Sequence, residues 1–242
     1  MAIIDGIDME QILQRERSLD FFLNVTIPAA IKRHEPFPHT LIICEYPRLA
    51  KAIGAYIFSH IPSVLLTRYD TSIVTPGDIA ATLTNLQDNA VLFLENGASL
   101  NRMQTTALDV LCDAVKSGHI EIKIGRGPVS QTHNLELPPF SFIAIVANAG
   151  QITSAFKRSF ENTVNLSTTS SRDFCILEIN ATAVENSMHF DQAAIDEIVC
   201  AANSNWRTAA RLVHWIRDYM VVHDDHFAAI PKEYVKKVLS LL

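Results

Sequence analysis

The chain has 242 residues, 48% of them hydrophobic and 19% charged, and its 20 Lys plus Arg against 26 Asp plus Glu give a formal charge of −6. That composition belongs to globular domains and excludes a disordered, collagen-like or coiled-coil chain, and the length suits one large domain or two modest ones. No apolar run approaches the roughly 18 to 20 residues of a membrane span, the opening MAIIDGIDMEQILQRERS lacks the parts of a signal peptide, and the acidic balance opposes non-specific nucleic-acid binding, so a cytoplasmic protein is expected.

After an N-terminal segment, 1–38, short apolar runs alternate with helical stretches. HTLIIC (39–44) reads as a buried strand, AKAIGAYIFSH (50–60) as a helix and SVLLTR (63–68) as a second strand. Pro76-Gly77-Asp78 opens a helix with Ile79, Leu83 and Leu86 on one face, and AVLFLE (90–95) is a third strand. Residues 100–116 carry Met103, Ala107, Leu108, Leu111 and Val115 at helical spacing. The segment 120–137 alternates apolar and polar residues about Gly125-Arg126-Gly127-Pro128, which predicts a β-hairpin. FSFIAIVANAG (140–150) is a fourth core strand ending in a loop. Near-continuous apolar strands between helices imply a largely parallel sheet covered on both faces, an α/β domain over 39–167.

From 168 to 242 only the helical period remains. Ser170 or Ser171 caps a helix running to about Val184, Asp191 caps a second, 206–222 form a third, and Ile230-Pro231 starts a fourth. This predicts a small all-helical lid domain. The four cysteines form no close pair and read as buried free thiols, while His223-Asp224-Asp225-His226 is either a solvated acidic loop or two imidazoles and two carboxylates offered to a metal.

An α/β sheet followed by a helical lid suggests a P-loop motor. The stretches TPGDIAATLTNL (75–86), VLFLENGASLNR (91–102), IKIGRGPV (122–129), LELPPFSFIAIVANAG (135–150) and WIRDY (215–219) resemble RuvB, the AAA+ ATPase family that drives Holliday-junction branch migration. The resemblance implies a P-loop NTPase-like AAA+ sheet with helices on both faces and a helical lid.

It also implies where the nucleotide site should be, and there the residues depart from the pattern. A P-loop, G-x-x-x-x-G-K-[ST], needs glycines so that backbone N–H groups can wrap phosphate, a Lys for the outer phosphates and a hydroxyl for Mg²⁺. The matching stretch is Cys44-Glu45-Tyr46-Pro47-Arg48-Leu49-Ala50-Lys51. Cys44 and Leu49 replace the glycines, Ala50 the lysine and Lys51 the hydroxyl, and one residue on a helix turns a side chain by roughly 100°, so Lys51 does not substitute for its neighbour. Glu45 adds negative charge where phosphate should sit. Where the family carries an Asp–Glu pair, this chain has Glu95-Asn96; Glu95 can still ligate a metal, whereas the Asn96 amide cannot act as a general base. The γ-phosphate-sensing tip reads Val146-Ala147-Asn148, without the family's threonines, and the arginine-finger segment has Lys157 and Ser159 on the family's Arg positions. Arg207 matches the lid arginine; its other reading is an exposed first-turn helix residue.

These losses predict an inactive AAA+ module, a pseudo-ATPase with no catalytic residues, no metal and no cofactor, acting by protein–protein contact in a DNA recombination, repair or replication complex. The rival is a divergent ATP-binding helicase subunit, and only there are ATP and Mg²⁺ expected, held by Lys51, Glu95 and Arg207. The family's hairpin docks RuvA, so Ile120, Ile122, Ile124, Arg126, Leu135 and Leu137 form either a partner-binding face or core packing, with a RuvA-like protein or another AAA+ subunit as partner. Family members continue past the position of Leu242 into a winged-helix DNA-binding domain, so weak or absent direct DNA binding is expected; AAA+ rings are held partly by nucleotide between subunits, so the lost site predicts a monomer or small homo-oligomer.

Overall fold

In the computed structural model, residues 3–68, 75–95, 105–124, 131–166 and 171–241 are described. The chain divides into two units, one of residues 11–166 and one formed by 1–10 together with 167–242.

The first ten residues contain a two-stranded ribbon, β1 (Ile3–Ile4) and β2 (Ile7–Asp8), paired antiparallel with Ile4 opposite Ile7. The turn between them is Asp5-Gly6, both at positive φ (49° and 76°), the conformation that a two-residue hairpin loop requires. Gly6 is needed for space as well, because a Cβ there would stand 2.9 Å from the Cα of Ala181.

Short helices follow, α1 (Met9–Arg15), within which the larger unit begins, α2 (Arg17–Phe21) and α3 (Ile27–Arg33), with a π-helical turn, Phe22–Thr26, between the last two. Its centre is a five-stranded parallel sheet of β3 (Thr40–Ile43), β4 (Leu66–Arg68), β5 (Ala90–Leu94), β8 (Phe140–Val146) and β9 (Asn162–Asn165), in the spatial order β4-β5-β8-β3-β9. The three central strands β5, β8 and β3 are buried along their whole length, as their nearly continuous apolar sequences require; the buried hydroxyls of Thr40 and Ser141 donate to the Pro38 and Phe37 carbonyls. Strands β4 and β9 are short edges. The second strand was expected over 63–68, but 63–65 form a turn and only three residues pair; β9, whose sequence is NTVN, has one buried residue, Val164, and no apolar pattern to announce it.

Helices cover the two faces. On one, α5 (Pro76–Thr84), α6 (Thr105–Ser117) and the short α7 (Ser154–Lys157) pack Ile79, Leu83, Leu111 and Phe156 against Leu92, Phe142 and Ala144. On the other, α4 (Pro47–His60) lays Gly54 and Phe58 against Phe93. The TPGD motif is a capping box: the Asp78 N–H donates to Thr75 Oγ1 (3.2 Å) and the Thr75 N–H to Asp78 Oδ2 (2.9 Å). The hairpin of β6 (His119–Ile124) and β7 (Gln131–Glu136) pairs Ile120 with Leu135 and Ile122 with His133.

The second unit contains α8 (Ser171–Glu185), α9 (Gln192–Ala201), α10 (Trp206–His223) and α11 (Lys232–Leu239), which enclose Ile179, Ile198, Val213, Ile216 and Val235. Asp191 caps α9, accepting from the Ala194 N–H at 2.6 Å, and Asn205 caps α10 through Thr208 at 3.1 Å. Pro231 is the N-cap of α11, one position before the first turn where it was expected. Cys44, Cys112 and Cys175 are buried free thiols, but Cys200 is exposed, because it ends α9 on the side away from the packed Ile195–Ile198 face. Among the described residues no helix is long and apolar enough to cross a membrane.

Candidate functional site

In a parallel sheet with helices on both faces, ligands are taken up outside the C-terminal ends of the strands, where neighbouring connections diverge. Here the ends of β5, β8 and β3 are adjacent, with Leu94 level with Ala144 and Val146 level with Ile43. That register brings Glu95, Asn148 and the Cys44-Glu45 connection to one edge. Asn96 lies outside the described residues.

The connection from β3 to α4 decides the shape of this edge. The Cys44 N–H donates to the Val146 carbonyl at 2.8 Å, prolonging the ladder, and only Glu45 and Tyr46 then precede the helix. Tyr46 is wholly buried, with extended backbone, and Pro47 takes the first helical position, where its missing N–H costs nothing. The Ala50 N–H already donates to the Tyr46 carbonyl at 3.0 Å. Residues 47–50 are therefore a turn of helix rather than a loop curved around a ligand. The expected helix start at residue 50 is corrected by three residues, and the signal for it was the Tyr46-Pro47 pair.

The side chains follow from that backbone. Leu49 is 2% exposed and faces the core, Ala50 is half-buried and Lys51 is exposed. The Cys44 thiol sits 3.4 Å from the Tyr46 carbonyl, and burial pushes its pKa up to about 12, so it stays protonated and unreactive. Glu45 is exposed immediately before the N-terminus of α4, where a carboxylate competes with any anion drawn to the helix end.

Glu95 reaches back over α4: its Oε1 lies 3.6 Å from where a Cβ on Gly54 would stand. Glu95 Cγ and the Phe93 ring stand at 3.7 and 3.6 Å from the same point, ordinary contact distances. Asn148 is occupied locally, its Oδ1 accepting from the Gly150 N–H at 2.7 Å to cap a short 3₁₀ turn, Ala149–Gln151. Ser159, on one of the family's arginine-finger positions, is 5% exposed with its hydroxyl donating to the Ala155 carbonyl at 3.1 Å, and the flanking Phe156 and Phe160 pack on Phe142. Lys157 and Arg158 are exposed. Arg207 belongs to the helical unit, where its guanidinium stacks 4.1 Å over the Trp206 ring.

Of the two placements open for the hairpin residues, a partner-binding face or core packing, Ile120 takes the second: it is 2% exposed and belongs to the core under α6, with Leu137 half-buried against the same cluster. The residue at the base of a hairpin continues the domain's own packing. Leu135, opposite Ile120, is 40% exposed. Ile122 and Ile124 are described through their backbone alone, and Arg126 lies outside the described residues. Of the acidic His223–His226 segment, Asp225 accepts from the Tyr234 phenol at 2.8 Å and His223 bonds the Tyr219 carbonyl at 2.9 Å; Asp224 lies 3.3 Å from His226 on the surface.

The sheet order, the helices on both faces and the strand-end edge define a P-loop NTPase-type fold of the AAA+ class. The family described as the Holliday junction DNA helicase RuvB P-loop domain matches residues 9–166, and the chain belongs to the RuvB family. The Holliday junction branch migration complex subunit RuvB of Campylobacter curvus (strain 525.92) is 33% identical over 221 residues, and that of Staphylococcus haemolyticus (strain JCSC1435) is 31% identical. Each alignment takes in 91% of this chain, but only 63% and 65% of those relatives, so the chain spans a little under two thirds of their length. The fold of the Thermotoga maritima RuvB Holliday junction branch migration motor matches 94% of this chain and 69% of that one, with a TM-score of 0.62 at 20% identity. A mutant of the same protein gives 0.63 at 21%.

Proposed function

We propose that this RuvB-family chain has lost ATP hydrolysis and acts through contact with another protein in a DNA-processing complex. The observation that carries the reading is the first turn of α4: helix from Pro47, anchored by buried Tyr46 and Leu49, in the stretch that would have to be a glycine-lined loop to hold phosphate. Phosphoryl transfer is almost wholly positioning and charge stabilisation, so a site without a wrapped phosphate, a Lys and a general base has little left to catalyse it. Calorimetric titration with ATP, with and without Mg²⁺, is expected to show no binding in the micromolar range. Mg²⁺-dependent micromolar binding overturns the reading and favours the rival, a divergent ATP-binding helicase subunit using Lys51, Glu95 and Arg207. That rival draws support from one placement, the Glu95 carboxylate lying against α4 at the strand-end edge.

The relatives are named as subunits of a Holliday junction branch migration complex, which makes a RuvA-like protein or another AAA+ subunit the partner to test. Exposed Leu135 is proposed, together with Ile122 and Ile124, as the surface for it. Ile122→Asp with Ile124→Asp should abolish binding to a purified RuvA-like protein in surface plasmon resonance while the circular dichroism spectrum is retained. Unchanged binding by that variant, or no binding by the parent chain, removes the docking role.

A further inference from the structure

One face of α10 carries apolar side chains that the described residues of its own unit do not cover. Trp215, Tyr219, Val222 and His223 on that face form a groove with Val238 and Leu241 from α11 and the residues after it. Val222 is 79% exposed, Leu241 64% and Trp215 38%, a concentration of uncovered apolar surface that marks interaction sites.

Three cations stand beside the groove. Arg211 lies 5.0 Å over the Trp215 ring, Arg207 stands one turn earlier on the same helix face, and Lys237 lies 5.5 Å from the Tyr219 ring. Among the described residues none of these three cations is paired with a carboxylate. Asp218, the acid that lines the groove, is paired with its own neighbour, Arg217, whose Nε and Nη2 reach Oδ1 at 2.9 and 2.6 Å. Asp225 is likewise taken by Tyr234. The groove therefore offers aromatic and aliphatic contact bordered by unanswered positive charge on a protein of net charge −6.

We infer that this groove binds an amphipathic acidic segment of a protein partner, its apolar side chains seated between Trp215 and Leu241 and its carboxylates meeting Arg211, Arg207 and Lys237. A helix laid in a groove presents apolar anchors at i, i+3, i+4 and i+7, which suits the length of α10 from Trp215 to Val222. The inference rests on the helical unit alone; it shares Arg207 with the ATP-binding reading and no residue with the hairpin reading.

The test uses the full chain and two synthetic helical peptides, each with Leu at those spacings, one with Glu and one with Lys at all other positions. Fluorescence anisotropy of the labelled Glu peptide should report saturable binding, with the Lys peptide binding at least about tenfold more weakly. Val222→Asp and Arg211→Glu, both at exposed positions, should each weaken the Glu peptide by about tenfold or more while leaving the thermal melt unchanged. No binding of the Glu peptide, or equal binding of both peptides, overturns the inference. So does displacement of the peptide by single-stranded DNA, or a dimer in sedimentation that Val222→Asp dissolves, since these assign the groove to nucleic acid or to a second copy.

Discussion

The Glu95 carboxylate closes over Gly54, with Oε1 and Cγ at 3.6 and 3.7 Å from the place a Cβ would occupy and the Phe93 ring at 3.6 Å. Those are ordinary contact distances, so an alanine fits there without displacing anything. Gly54 is also interior to a fourteen-residue helix, where glycine costs backbone entropy. Gly54→Ala is therefore expected to stabilise the α/β unit by about 0.5–1 kcal/mol, read as a higher urea midpoint at unchanged slope. A lower midpoint means that α4 and β5 are closer than this geometry has them.

Tyr46 holds the β3–α4 connection in place from inside. Replacing it with alanine removes the largest fully buried side chain at this edge and is expected to cost about 3 kcal/mol. Under the proposed reading this loss comes without any nucleotide phenotype, and the pair Ala50→Lys and Lys51→Thr should fail to create ATP binding, because the helix still begins at Pro47. ATP binding by that double variant in calorimetry contradicts the account of the first turn.

His39 gives the α/β unit a pH dependence. Its Nδ1 accepts the Phe142 N–H at 3.0 Å, which requires the neutral ring, and burial lowers its pKa below 6.5 against the opposing pull of Glu161 and a hydrogen bond to the Val115 backbone. The unfolded chain then binds the proton more readily than the folded one. Stability from His39 is complete above about pH 6.5 and is lost as the pH falls through that value toward the lower folded pKa. Urea-unfolding free energies from pH 7.5 to 5 should fall more steeply for the parent chain than for His39→Gln; parallel curves remove His39 as the cause.

The thiols differ sharply in access. Cys44, Cys112 and Cys175 are buried and all pushed upward in pKa by that burial, Cys175 to about 11, whereas Cys200 faces solvent. A chromogenic disulfide reagent at pH 8 should modify one thiol in the native protein and four in urea. Fast release of a second equivalent from the native chain shows that one of the buried sites opens.

Much of the fold can be read from the sequence because apolar runs cannot be left in water. TLII, AVLFL and FSFIAIV have no polar face to expose, so they had to be central strands, and the TPGD capping box and Asp191 declare their helix starts through side chains that satisfy backbone N–H groups. Where burial is partial the signal fails. NTVN hides one side chain, and the N-terminal helices before Thr40 were not read at all. Asp5-Gly6 did carry a hairpin signal, but that the ribbon belongs with the helical unit follows from the space Gly6 leaves beside Ala181.

The candidate site divides in the same way. Sequence alone determined its chemistry: no glycine at 44 or 49, no lysine at 50, an amide at 96, since residue identity sets which atoms can donate, ligate or take a proton. Only the tertiary structure decided its shape, because shape depends on what each side chain meets. Packing buries Tyr46 and Leu49, draws Glu95 over Gly54, and places Ile120 in the core instead of on the hairpin's outer face.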